Sequence, residues 1–224
     1  MKVALLTFYT PNFQPLADII VPNKERYCHI AGYEHIVKIG PYADPKWYYA
    51  IDRLKYVQDV LFKTPNAIDI IWVLNLHTYI MNYRKRLETV LTDEHDFFIT
   101  SSCNGLNAGS FVVRKSEWSM RWLSFVIEKA LAGDHCWYEQ KVMQDHAGGE
   151  GWREKIKILP QNAINSMDYR LYDMPESTEG QFKKGDFVFH APGIAAWETC
   201  SLLEARIKLF TGEWINENLI GQSE

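Results

Sequence analysis

Apolar residues fall along the chain in two periods. Val3-Ala4-Leu5-Leu6, Ile70-Ile71-Trp72-Val73-Leu74 and Phe97-Phe98-Ile99 are short continuous runs bounded by polar residues. Such runs mark strands buried on both faces of a sheet. Between them, Trp47, Ile51, Leu54, Val57 and Leu61 recur at three- and four-residue spacing, which is a helical stripe. Residues 15–31 read as another helix, closed by Gly32. Asp44-Pro45 offers an N-cap and a first-turn proline for the Trp47 stripe, which ends before Pro65. Ser116-Glu117-Trp118 opens a third amphipathic helix running to Leu131 and Gly133. Further strands are expected at Glu34–Ile39, in the run to Arg114, at 155–160 and at 186–189, with a short polar helix over 83–92. Residues 173–182 read as a polar loop and 197–210 as a terminal amphipathic helix. Strand and helix alternate, so the expected class is α/β, a mixed and mostly parallel sheet flanked by helices. Neither repeat nor linker interrupts the pattern, and 1–224 is read as one domain.

The run at 70–74 ends in two polar residues, Asn75 and His77. On extended chain their side chains point the same way. Paired polar groups at the carboxyl end of a buried strand mark the edge where open α/β folds bind ligands. The apolar run Phe187-Val188-Phe189 delivers His190, followed by Gly193, to that edge. The first strand offers Thr7 and Tyr9 at its end. Its loop lacks the G-x-G-x-x-G of a dinucleotide-binding fold.

With 224 residues, 47% of them hydrophobic, the chain can bury a sizeable core. A net charge of -4 gives no general polyanion-binding surface. Eight Trp and twelve Tyr include aromatic faces suited to sugar rings, although most of them are read as core. Cys28, Cys103, Cys136 and Cys200 lie far apart without metal-ligand spacing and read as free thiols. No run approaches the ~18 apolar residues of a membrane span. The expectation is a cytoplasmic protein of microbial or viral type.

Four ordered blocks resemble a GT-A glycosyltransferase, closest to family 34, the retaining galactosyl/xylosyl/mannosyl-transferases. They are the segment Trp72-Val73-Leu74 to Asn82, Leu106-Asn107-Ala108-Gly109-Ser110-Phe111-Val112-Val113-Arg114, the pair Glu139-Gln140, and Gly185–Gly193. The family carries D-x-D where this chain has Asn75-Leu76-His77, and often Asp where Lys141 stands. The resemblance implies a GT-A fold and transfer of a hexose or pentose from a nucleotide sugar, most simply a UDP-sugar, to an acceptor hydroxyl. It implies Glu139, Gln140 and Asn107 at the sugar, and Thr7, Tyr9, Arg53, Asn75, His77, His190 and Gly193 at the nucleotide and its phosphates. The acceptor is left open among a glycan, a protein, a small molecule and a modified nucleic acid.

Loss of both aspartates leaves two routes to neutralising the diphosphate. Asn75, His77 and His190 would hold Mn²⁺ weakly, with the donor as the main anionic ligand. Alternatively His77, His190 and Arg53 meet the phosphates without a metal. A third reading is a non-catalytic sugar-nucleotide or glycan-binding relative that has lost the metal site with its chemistry.

Overall fold

A computed structural model describes residues 1–63, 68–133, 138–172 and 179–192. Its main sheet has the order β2-β1-β3-β6-β5-β7. The strands are β1 (Val3–Tyr9), β2 (Glu34–Ile39), β3 (Ile70–Leu74), β5 (Phe97–Ser102), β6 (Gly105–Arg114) and β7 (Ile156–Leu159). β1 pairs in parallel with β2 and β3, and β5 with β7, while β6 runs antiparallel between β3 and β5. The sheet is therefore mixed with a parallel majority.

Alternate residues of β3 enter opposite layers, which is why its run is continuously apolar. Ile71 and Val73 join the core beneath α2 (Tyr49–Phe62) and α3 (Glu117–Ala132). Ile70, Trp72 and Leu74 join Tyr27 of α1 (Gln14–Ala31) and Phe187 on the other face. α1 stops at Gly32, whose φ of 73° is the left-handed cap that glycine accepts without strain. Ser116 caps α3 by accepting from the Ser119 N–H.

Apart from the segment 83–92, which forms only a 3₁₀ turn at Leu87–Val90 in place of the expected helix, two features differ from the sequence expectation. α2 does not start at Asp44-Pro45. Asp44 instead closes a turn, accepting from the backbone N–H of Lys46 (2.8 Å) and Trp47 (3.0 Å). The Asp52 carboxylate in α2 accepts from the N–H groups of Tyr42 (2.5 Å) and Ala43 (2.6 Å), so the preceding loop is tied to the helix rather than continuing it. The second difference concerns His190. Its strand β9 (Val188–His190) does not join the main sheet but sits between β4 (Thr78–Ile80) and β8 (Ser166–Met167) in a separate three-stranded sheet. Asn23 of α1 anchors that sheet by bonding both the N–H and the C=O of Ile80 (2.8 and 3.0 Å). The expected terminal helix at 197–210, part of the polar loop at 173–182, Gly193, Cys136 and Cys200 lie outside the described residues.

Candidate active site

β3 ends where the two sheets meet. The backbone N–H of Asn75 still donates to Gly109 of β6 (2.9 Å), and its C=O then accepts from the hydroxyl of Thr78 (2.6 Å) and the ammonium of Lys24 (2.8 Å). That turn swings His77 toward β9. Thr78 stands opposite His190 in the β4–β9 register, and the Ala191 N–H donates to the His77 C=O (3.1 Å). The two imidazoles consequently lie near parallel, centroids 6.1 Å apart. His190 approaches β6 so closely that a Cβ on Gly109 would overlap its ring. Only glycine leaves that space.

Above this junction is a cavity of about 450 Å³. Asn75, His77, Asn107, Glu139, Gln140 and His190 all line it. Tyr9 lines a smaller recess that shares Tyr49, Asn75 and His77 with the cavity. Thr7 lines neither: it is fully buried, and its hydroxyl pairs with His35 Nε2 (3.2 Å) on the neighbouring strand. Thr7 shares a face with Tyr9 but lies two residues further from the strand end, beneath the recess rather than on its wall.

Arg53 sits behind the cavity wall rather than on a solvated helix face. Its guanidinium donates to the side-chain oxygen of Asn75, to Glu139 Oε1 (3.1 Å) and to the Ala108 C=O (3.4 Å), and it packs over Phe111. Glu139 opens the first turn of α4 (Tyr138–His146), where unpaired N–H groups favour a carboxylate. Burial nonetheless pushes its pKa up, and the Arg53 charge works against that push. Gln140 gives its side-chain oxygen to the Ala108 N–H (2.9 Å), leaving its NH₂ as the group free to turn to a ligand. The Asn107 oxygen likewise accepts from the Gly109 N–H (2.9 Å) and from Asn165 (3.0 Å), so its NH₂ is the group left for a hydroxyl.

Three ring nitrogens are buried with no hydrogen-bond partner among the described residues: Nδ1 of His77 and both nitrogens of His190. Burial lowers the His77 pKa to about 4 and pushes that of His190 well below the ordinary value. Both rings are neutral at pH 7 and wait for a donor, an acceptor or a proton. Lys24, fully buried beneath Asn75, is also pushed down by burial, with the Arg53 charge adding to it.

The expected metal set does not fit Mg²⁺ or Mn²⁺. Those ions seek several charged oxygens. Here the one side-chain oxygen, on Asn75, already accepts from a guanidinium, and the other two groups are imidazoles. The Arg53 guanidinium and the buried Lys24 amine stand at the same residue. Among the described residues no three His, Cys, Asp or Glu side chains gather into a ligand group.

The sequence pattern did not single out Tyr48, Tyr49 and Tyr138, which form part of the cavity wall, or the β5–β6 turn with Ser102, Cys103 and Asn104. Tyr138 was legible only as the neighbour of Glu139. Tyr48 was hidden by the misplaced start of α2.

A mixed sheet with this strand order, carrying a polar strand end beside a helix-borne carboxylate, is the architecture of GT-A glycosyltransferases. A solved glycosyltransferase involved in glycosylation of the major capsid of PBCV-1 superposes with a TM-score of 0.72 at 15% identity, over 92% of this chain and 100% of that one. The galactosyltransferase LgtC, solved with donor and acceptor sugar analogs, gives a TM-score of 0.56 at 12% identity, over 94% and 96% of the two chains. Residues 7–95 and 89–201 match the model of the galactosyl transferase GMA12/MNN10 family, and the chain belongs to that family. An uncharacterized alpha-1,2-galactosyltransferase of Schizosaccharomyces pombe is 24% identical over 88% of this chain and 68% of its own length. The probable alpha-1,6-mannosyltransferase MNN10 of Saccharomyces cerevisiae is 27% identical over 67% of this chain and 48% of its own. The chain thus spans from about half to two thirds of the length of these curated relatives. No helix among the described residues is long and apolar enough to cross a membrane.

Proposed function

We propose that residues 1–224 form one glycosyltransferase domain that moves a hexose from a nucleotide-diphosphate sugar to an acceptor hydroxyl with retention at the anomeric carbon. The observation that carries this reading is Glu139. It is a buried carboxylate, held by Arg53, on the wall of the cavity that also receives Asn75, His77 and His190. The names of the relatives favour a galactosyl or mannosyl donor, hence a UDP- or GDP-sugar. Of these, the UDP-sugar remains the simpler choice.

The diphosphate lies along the wall shared by the cavity and the smaller recess, with the nucleoside on the Tyr9 side. His77 presents an unpartnered nitrogen there and His190 two more from the cavity side, and each ring can donate to a phosphate oxygen. Arg53 adds positive potential from behind. Glu139 faces the positive charge that develops as the bond from the anomeric carbon to the phosphate oxygen breaks. The acceptor oxygen forms the new bond on the same face, and its proton passes to the departing phosphate oxygen. No second carboxylate is required.

The test is a screen of UDP- and GDP-sugars for hydrolysis and transfer, each with Mn²⁺ and with a chelator. Turnover of a UDP-hexose in the chelator supports the reading in full. Binding of UDP without turnover of any donor makes the chain a sugar-nucleotide-binding relative instead.

A further inference from the structure

Among the described residues β2 is the outermost strand of the main sheet. The Gly40 N–H donates to the Tyr9 C=O of β1 (2.8 Å), and backbone polar groups alternate sides along a strand. Even-numbered positions of β2 therefore bond to β1, and the backbone groups of His35, Val37 and Ile39 face outward from the edge. Natural proteins blunt such an edge with proline, a bulge or charges. β2 keeps an unbroken register with β1 from Glu34 to Ile39, contains no proline, and carries charge only at Glu34 and Lys38. On the face toward α1, Val37 and Ile39 are 40% and 44% exposed. On the face toward α2, the Lys38 ammonium lies over the rings of Tyr42 and Tyr56, at 5.3 and 5.7 Å. No carboxylate among the described residues pairs with it.

This edge is complementary to itself. Two copies placed antiparallel about a two-fold axis at Ile36 set Glu34 of each directly opposite Lys38 of the other. His35 then faces Val37, and Tyr33 faces Ile39, so the exposed apolar side chains meet partners. Because the odd positions carry the outward backbone groups, Glu34–Lys38 and Ile36–Ile36 are the closely spaced pairs without hydrogen bonds, in which side chains touch. Moving the axis to position 35 or 37 sets Glu34 against Ile36 or Gly40, and no opposite charges meet. Within the chain Glu34 has the exposed Lys2 beside it (2.8 Å), a contact the pairing leaves in place. We propose that a second copy of this chain docks on β2, antiparallel with Ile36 on the axis, and joins the two main sheets into one. The contact is isologous, as in most two-fold dimers. No residue of β2 lines the cavity or the recess, so this interface is independent of the nucleotide-sugar reading.

Sedimentation equilibrium from about 1 to 100 µM chain tests it on the wild type, Glu34→Lys, Lys38→Glu and the double variant Glu34→Lys/Lys38→Glu. Circular dichroism and thermal unfolding check that each folds. The wild type should approach twice the chain mass. Each single change sets like charges opposite one another at two symmetric places and should weaken the dimer at least about tenfold. The double variant restores opposite charges in the same register and should recover most of the loss. A wild type that stays monomeric throughout, a dimer untouched by both single changes, or a double variant no tighter than the singles overturns the proposal. A cross-link judges it without altering charge. Position 36 faces its own copy at a Cα separation of about 4.5 Å, within disulfide reach. Mild oxidation should therefore turn Ile36→Cys into a covalent dimer, beyond any that the parent's own thiols form. Val37→Cys, which faces His35 of the second copy, should not cross-link. No cross-link at position 36, or an equal one at 37, also overturns the proposal.

Discussion

Arg53 and Glu139 form an ion pair, Nη2 to Oε1 at 3.1 Å, in which both side chains are almost wholly buried. The same guanidinium holds the side chain of Asn75, so one residue fixes both the carboxylate and the strand end. Removing one partner of a buried pair leaves an uncompensated charge and typically costs about 3–5 kcal/mol. Arg53→Met is expected to lower stability on that scale in urea unfolding. Adding Glu139→Gln should recover much of the loss, because the stranded charge is then gone. Strictly additive losses would show that the two residues do not act as a pair.

Glu139→Gln alone keeps an oxygen for Arg53 but loses the charge. Preorganised electrostatic groups of this kind are worth about 10²–10³ in kcat. Transfer should fall on that scale while UDP affinity stays within about threefold, since the group acts on the sugar rather than the nucleotide. Asn107→Ala should shift the same balance in the same direction. Equal loss of UDP binding would assign both residues to the fold or to the nucleotide site.

Much of this was legible in the sequence. The continuous run at 70–74 marked a two-faced strand, and Gly32 and Ser116 marked the limits of helices. Candidates scattered from Asn75 to His190 were linked by the order of their motifs, and the cavity draws six of them together. What could not be read depends on contacts between distant segments. Arg53 looks like a solvated residue because nothing local shows that Asn75, Ala108 and Glu139 arrive around it. The second sheet escaped notice because β4 and β9 are three residues each, too short for a period. Thr7 lies two residues short of the strand end, and nothing local shows that His35 of the neighbouring strand takes its hydroxyl.

Gly109 tests the fit between β6 and His190. An added methyl would overlap the imidazole, so Gly109→Ala must displace β6 or the ring. Overpacking of this kind costs about 1–3 kcal/mol. The expected outcome is a stability loss of that size together with weaker UDP binding. Unchanged UDP affinity in a destabilised variant would place His190 outside the phosphate site.

The histidines also set a pH dependence of stability. His77 titrates near 4 in the fold against an ordinary 6.5, and His190 is shifted the same way. Between those values the unfolded chain binds more protons, so stability rises with pH. It is complete above about 6.5 and is lost as pH falls toward 4. Glu139 works in the opposite sense. Its raised pKa means that the folded carboxyl takes up a proton first just above its ordinary range, which offsets part of the loss at the acid end. Urea midpoints at pH 7.5 and 5 should therefore differ. His77→Asn and His190→Asn should each shrink the difference. A difference as large in both variants as in the parent would mean that neither ring is neutral and buried in the fold.

His190 carries the final prediction. Its ring is 1% exposed, both nitrogens lack partners among the described residues, and it borders the wall assigned to the diphosphate. An incoming phosphate supplies the acceptor that the ring lacks and a negative charge that favours the imidazolium. Binding should therefore take up a proton, and UDP affinity should rise as pH falls from 8 to 6. A histidine serving as a metal ligand must be neutral and would give the opposite slope. The contact is charge-assisted, so His190→Ala should weaken UDP binding by about 1.5–3 kcal/mol. Uridine, without phosphates, should lose far less. Calorimetry at both pH values, with Mn²⁺ and with a chelator, separates the cases. Affinity in the chelator should match that in Mn²⁺, because Asn75, His77 and His190 are a poor set for that ion. A wild-type affinity that appears only with Mn²⁺ and falls with pH would return these residues to the role of metal ligands.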